Sequence, residues 1–149
     1  MLKLRPFCGD LFNVTDLIEK TIKKYENSNI ISELDEKIQM FGRKNLIQRC
    51  LNNLIDNGIK YANKINIKLT KNNKFIIIIL DDDGPGIPKK EYENVFKPFY
   101  KANKSRGDSK SSVGLGLSIA SDVINSHGGN ITLNESPQNG LSFNILFPF

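Results

Sequence analysis

The chain has 149 residues, enough for one domain with its own core, and 39% hydrophobic with 25% charged residues excludes a disordered or fibrous class. Two cysteines, Cys8 and Cys50, give neither a disulfide framework nor a metal spacing, and no apolar run approaches the roughly 20 residues of a membrane helix. The net charge of +5 is spread along the chain, which suits a polyanionic ligand better than a nucleic-acid groove, so neither nucleic acid nor direct membrane insertion is expected.

The opening "MLKLRPFCGD" lacks the long apolar middle of a signal peptide, and residues 1–12 read as a boundary segment before a domain over 13–149. "FNVTDLIEKTIKKYEN" spaces Val14, Leu17, Ile18, Ile22 and Tyr25 at helical intervals, with Asn13 or Thr15 able to cap the start. "NIISEL" and "KIQMF" read as short strands, and Gly42 breaks the chain before a long helix, "KNLIQRCLNNLIDNGIKYA". "INIKLT" and "KFIIIIL" are strands joined by a polar turn, an antiparallel hairpin.

After "GPGIPKKE" a short helical piece ends in "VFKPFY", and the polar, basic stretch 101–113 reads as a mobile loop. "GLGLSIASDVINSHGG" is a glycine-initiated helix with glycines at its close, and "NITLNE" with "LSFNILFPF" forms a last hairpin around "SPQNG". The fold class that follows is α/β of the α+β kind, with helices gathered on one face of a mixed sheet.

Three places carry candidate chemistry. In the long helix Asn53, Asn57 and Lys60 stand at i, i+4 and i+7, on one side beside the apolar positions 50 and 54. Amide oxygens suit a hard cation such as Mg²⁺ and Lys60 suits a phosphate, although this pattern alone reads as an Asn-rich solvent face. "DDDGPGIP" follows the apolar strand, and strand alternation sets Asp82 on the face of Ile76, Ile78 and Leu80, with Asp81 and Asp83 on the other. A carboxylate on a covered face is costly without a donor, and a purine's exocyclic amine is such a donor. Gly84 and Gly86 would let backbone approach a flat ring, but D-x-G-x-G also occurs in plain turns. Third, "GLGL" at 114–117 opens a helix, where free backbone N–H groups suit phosphate. Neither glycine stretch is a Walker loop or a Rossmann fingerprint.

In order, N-x-x-x-N with its following Lys-Tyr, D-x-G-x-G-I, F-x-x-F-Y, G-x-G-L, "HGG" and G-L-S-F-x-I-x-F-P resemble the ATP-binding domain of sensor histidine kinases. They match its N, G1, F and G2 boxes from about Asn13 onward, and "DDGPGI" with "FKPFYKA" is most similar to the osmosensor EnvZ type. The resemblance implies a Bergerat two-layer sandwich, a mixed, mostly antiparallel sheet with helices on one face and a flexible ATP lid. It implies Mg²⁺ held by Asn57 and Asn53, phosphate, ribose or adenine contacts from Lys60 and Tyr61, and an adenine acceptor in Asp82. Gly84, Gly86 and Ile87 would shape the base pocket, and Phe96 and Phe99 would anchor the lid. Tyr100 and Lys101 would lie over the nucleotide, and Gly114, Leu115, Gly116 and Leu117 would bring amides to the phosphates.

Related gyrase and Hsp90 ATPases carry Glu at the place of Asn53, and an amide is no base at neutral pH, so slow hydrolysis is expected. A kinase of this family phosphorylates a His on a dimerisation domain, and the sole histidine, His127 in "SHGGN", fits a helix C-terminus instead. The implied partners are therefore ATP, a His-bearing dimerisation domain of the same kinase outside this chain, and a response regulator. The implied setting is a cytoplasmic domain of a protein anchored in an inner membrane. Two other readings are a non-catalytic nucleotide-binding module and an ATPase of the gyrase type. The chain departs from the pattern at Ser112, one glycine short of the usual G2 start, at Gly58 in place of Ala, and at Lys101 in place of Arg.

Overall fold

A computed structural model describes residues 9–100 and 115–149. Strand β1 (Asp10–Asn13) leads into helix α1 (Val14–Lys23), capped by Asn13, whose Oδ1 accepts the Asp16 N–H at 2.9 Å. Tyr25, read as part of the helical pattern, lies just past its end. Strands β2 (Ile30–Leu34) and β3 (Gln39–Gly42) follow, and Gly42 closes β3 ahead of helix α2 (Lys44–Tyr61). The β4 (Ile65–Lys71) and β5 (Phe75–Asp82) hairpin turns at Asn72, whose side chain accepts the N–H groups of Lys74 and Phe75.

The helical piece expected next is two 3-10 turns, Lys89–Glu91 and Asn94–Phe96, because Pro88 and Pro98 leave too little uninterrupted chain for an α-helix. Helix α3 (Gly116–Ser126) and strands β6 (Asn130–Glu135) and β7 (Leu141–Pro148) complete the order.

Five strands form one sheet in the order β2-β4-β5-β7-β6, antiparallel except for the β2–β4 pair, while β1 and β3 make a separate two-stranded sheet. The sequence reading contained no strand at Asp10–Asn13, and the expected boundary after residue 12 falls inside it. Phe12 of this strand is buried in the core.

Register explains the layering. Ile67, Leu80, Phe143 and Leu133 lie opposite one another across four strands, and all are buried. The next row, Lys68, Ile79, Asn144 and Thr132, is half-buried or exposed. One sheet face is thus covered, by Leu17 and Ile18 of α1, Leu51, Leu54 and Ile55 of α2, and Ala120 and Ile124 of α3. Each such buried aliphatic side chain contributes about 1.5–3 kcal/mol. Helices α2 and α3 pack on each other, and the Cys50 thiol lies 3.7 Å from the Ala120 carbonyl in that seam. Burial pushes the Cys50 thiol up to about 12, so it is a small apolar filler and not a nucleophile.

The single histidine serves the scaffold. His127 caps α3, with Nδ1 2.8 Å from the Val123 carbonyl and Nε2 accepting the Arg43 N–H at 3.0 Å. This arrangement requires the neutral tautomer with its proton on Nδ1. It ties the end of α3 to the start of α2, in line with the helix-terminal role read from "SHGGN". No helix among the described residues is long and apolar enough to cross a membrane.

Candidate functional site

Helix α2 carries Asn53, Asn57, Lys60 and Tyr61; both asparagines are half-buried, whereas Lys60 and Tyr61 are exposed. The Lys60 ammonium lies 5.1 Å from the centre of the Tyr61 ring. The Nδ2 atom of Asn53 is buried and has no hydrogen-bond partner among the described residues. Beside it, α3 begins: a Cβ built on Gly116 would come within 3.9 Å of the Asn53 side chain. The N-cap of α3 is Leu115, and no side chain among the described residues caps it, so the first-turn amides of Gly116 and Leu117 have no intrahelical acceptor. Gly114 and Lys101 lie outside the described residues.

Asp82 ends β5 on the covered face, as strand alternation predicted; it is 7% exposed, and Ile76, Ile78 and Leu80 share its face. Its Oδ1 accepts the N–H of Gly84 at 2.9 Å and that of Leu141 at 3.0 Å, and Oδ2 accepts none from the described residues. Desolvation raises its pKa above the ordinary value, the two N–H bonds oppose that rise, and the charges of Asp83 and Asp81 add to it. Its neighbour differs. Asp83 Oδ1 accepts the N–H groups of Asn63 and Lys64 at 2.8 and 2.9 Å, which hold its pKa down and fasten the turn between α2 and β4.

Gly84 and Gly86 are required by geometry. A Cβ on Gly84 would sit 2.8 Å from the Tyr61 carbonyl oxygen, and Gly86 adopts φ of +69°, which side chains disfavour. Ile87 follows, half-buried against the core. The strand end, the glycine loop and the end of α2 are therefore one surface.

At the start of the expected lid, Phe96 packs edge-on against Phe143 with ring centres 6.4 Å apart. Phe99 is 68% exposed among the described residues, with φ of 66°. The Tyr100 hydroxyl donates to Glu91 at 2.5 Å, and burial together with that bond pushes the phenol up to about 12. Tyr100 is thus anchored to the first 3-10 turn.

Sequence reasoning missed the support behind Asp82. Ser136 Oγ donates to the Asp82 carbonyl at 2.6 Å, the Leu141 amide reaches Oδ1, and Gly140 is buried against both. The hairpin around "SPQNG" did not reveal it, because only the pairing of β7 with β5, which sets Ser142 opposite Asp81, brings Leu141 to Asp82.

The donor types fit Mg²⁺: the carboxamides of Asn53 and Asn57, one turn apart on α2 and both half-buried, offer hard neutral oxygens. Residues 42–149 match the family described as histidine kinase-, DNA gyrase B-, and HSP90-like ATPase. Sensor histidine kinase GtrS of Pseudomonas aeruginosa is 33% identical over 107 residues, covering 72% of this chain and 22% of GtrS. The histidine-protein kinase ArlS of Staphylococcus epidermidis is 39% identical over 114 residues, 74% of this chain and 25% of ArlS. The chain therefore spans roughly a quarter of the length of these relatives. The catalytic domain of histidine kinase ThkA superposes with a TM-score of 0.83 at 25% identity, over 95% of this chain and 96% of that one. The chain belongs to the histidine kinase-, DNA gyrase B- and HSP90-like ATPase family, as an ATP-binding catalytic domain of the sensor histidine kinase kind.

Proposed function

We propose that this domain binds ATP with Mg²⁺ and passes the γ-phosphoryl group to a histidine on a dimerisation domain of the same kinase, outside this chain. The observation that carries the reading is Asp82, a carboxylate on the covered face with one oxygen committed to backbone and the other without a partner among the described residues. Such an acceptor suits the exocyclic amine of adenine, directly or through water. Gly84, Gly86 and Ile87 would form the wall of the base pocket, and Tyr61 would reach ribose or adenine.

Asn53 and Asn57 would hold the Mg²⁺, which when bound neutralises charge on the triphosphate. Lys60 would add a point charge, and the amides of Gly114, Leu115, Gly116 and Leu117 would receive phosphate oxygens at a helix start. Tyr100 and Lys101 would cover the nucleotide. In the transfer step the acceptor imidazole nitrogen bonds to the γ-phosphorus while the bond to the β–γ bridging oxygen breaks, leaving ADP. The chain's part is binding and orientation. Asn53 supplies no general base, so water is not activated and the phosphoryl group is kept for its acceptor.

The resemblance to sensor histidine kinases suggests the setting we propose: a parent protein anchored in an inner membrane, this domain cytoplasmic, and a response regulator downstream. The test supplies the chain with a His-bearing helical hairpin and ATP labelled at the γ-position. Label on the hairpin histidine is expected. Binding without transfer would leave a nucleotide-binding module, and rapid phosphate release by the chain alone would indicate an ATPase.

A further inference from the structure

Between β6 and β7, residues 136–140 fold over the end of β5, and one hydroxyl organises them. Ser136 Oγ donates to the Asp82 carbonyl at 2.6 Å and accepts the N–H groups of Gly140 at 2.9 Å and Gln138 at 3.2 Å. The Ser136 amide donates to the Gly140 carbonyl at 2.9 Å, closing the loop on itself. Ser136 is 4% exposed, so none of these groups recovers a water partner easily if the hydroxyl is removed. The same loop delivers the Leu141 N–H to Asp82 Oδ1 and sets the Asn139 carbonyl against Gly86, where an added Cβ would lie 3.3 Å from it.

Backbone and carboxylate of Asp82 are therefore gripped from one loop, which holds Oδ1 and leaves Oδ2 as the oxygen without a partner among the described residues. We infer that Ser136 is a positioning residue that sets the base specificity of the nucleotide site by holding Asp82 in its acceptor rotamer. Without the hydroxyl, the Asp82 carbonyl and the Gly140 and Gln138 N–H groups lose a shared partner. The loop then shifts, the Leu141 N–H leaves Oδ1, and the carboxylate is free to turn. The inference rests on the proposed adenine contact of Asp82.

The test measures Mg²⁺-dependent binding of ATP and of inosine triphosphate, which lacks the exocyclic amine, to the 149-residue chain and its variants. Ser136→Ala is expected to weaken ATP about tenfold and leave inosine triphosphate nearly unchanged. Ser136→Thr, which keeps the hydroxyl, is expected to restore the preference. A purely structural role predicts equal losses for both nucleotides, following the fall in melting temperature, and that result would overturn the inference. If Ser136→Ala is recovered unfolded, Ser136→Cys, a weak donor of similar shape, carries the same expectation. Asp82→Ala separates the two levels of the argument. A preference for ATP that survives Asp82→Ala removes the adenine reading itself. A preference lost in Asp82→Ala but intact in Ser136→Ala removes only the role of Ser136.

Discussion

Three adjacent carboxylates have three different fates. Asp83 fastens a turn, Asp82 is half-committed on the covered face, and Asp81 is buried, opposite Asn66 in register, with Oδ1 lacking a partner among the described residues. Alternation alone was enough to read the face of Asp82. It did not reveal that Asp81 is buried too, because that depends on its flanking by Asn66 and Ser142 from other strands. Asp82→Asn keeps an oxygen for the Gly84 and Leu141 N–H groups but puts an N–H where the proposed ligand needs an acceptor. ATP affinity is expected to fall about 10- to 100-fold by calorimetry. Stability without nucleotide is expected to hold or rise. Since its folded pKa is raised, the native state binds the Asp82 proton more tightly than the unfolded chain does. Stability is then lost as pH climbs from the ordinary 3.8 through the raised value. Asp83 acts oppositely: its depressed pKa gives stability that is present above 3.8 and lost as pH falls below it. Melts across pH should therefore show a decline on the alkaline side of 3.8 that Asp82→Asn abolishes while the acid-side loss remains. Asn57→Ala should remove the gain in ATP affinity that Mg²⁺ confers, read by titration with and without chelator.

At the scale of elements, long periodic segments were legible and short ones depended on distant partners. The cap at Asn13, the inward stripe of α2 and the two hairpins follow from local pattern. Strand β1 does not, since its four residues become a strand only by pairing with β3, and its one core residue is Phe12. Glycine at position 58 costs α2 roughly 0.5–1 kcal/mol against alanine, and packing supplies its reason. A Cβ there would lie 2.8 Å from Ile65 Cδ1, so glycine lets α2 sit close on β4. The supports of Asp82 were hidden for a related cause: Ser136 and Gly140 look like ordinary turn residues until β7 is laid against β5. A Cβ at Gly140 would fall on the carbonyl and carboxylate of Asp82 and 2.7 Å from the Gly84 nitrogen. Gly140→Ala should cost about 1–3 kcal/mol in denaturant unfolding and weaken ATP binding with it.

For the whole molecule, the division of labour follows from what the fold does with its one imidazole. Both ring nitrogens of His127 are engaged, with Val123 and Arg43, inside the joint of α2 and α3. Incubation with labelled ATP should leave the isolated chain unlabelled at His127, checked by mass spectrometry under alkaline conditions. Labelling there would contradict the structural assignment. The parallel β2–β4 pair has a separate consequence, for folding order. Ile30 meets Ile65 only after β3 and the whole of α2 have been crossed, and among the described residues β2 has a neighbour on one side alone. Ring closure over that length is slow to form, and a one-sided strand is quick to fray. In native-state hydrogen exchange the β2 amides bonded to β4 should trade with deuterium through small openings. Those of β5, flanked on both sides, should wait for global unfolding.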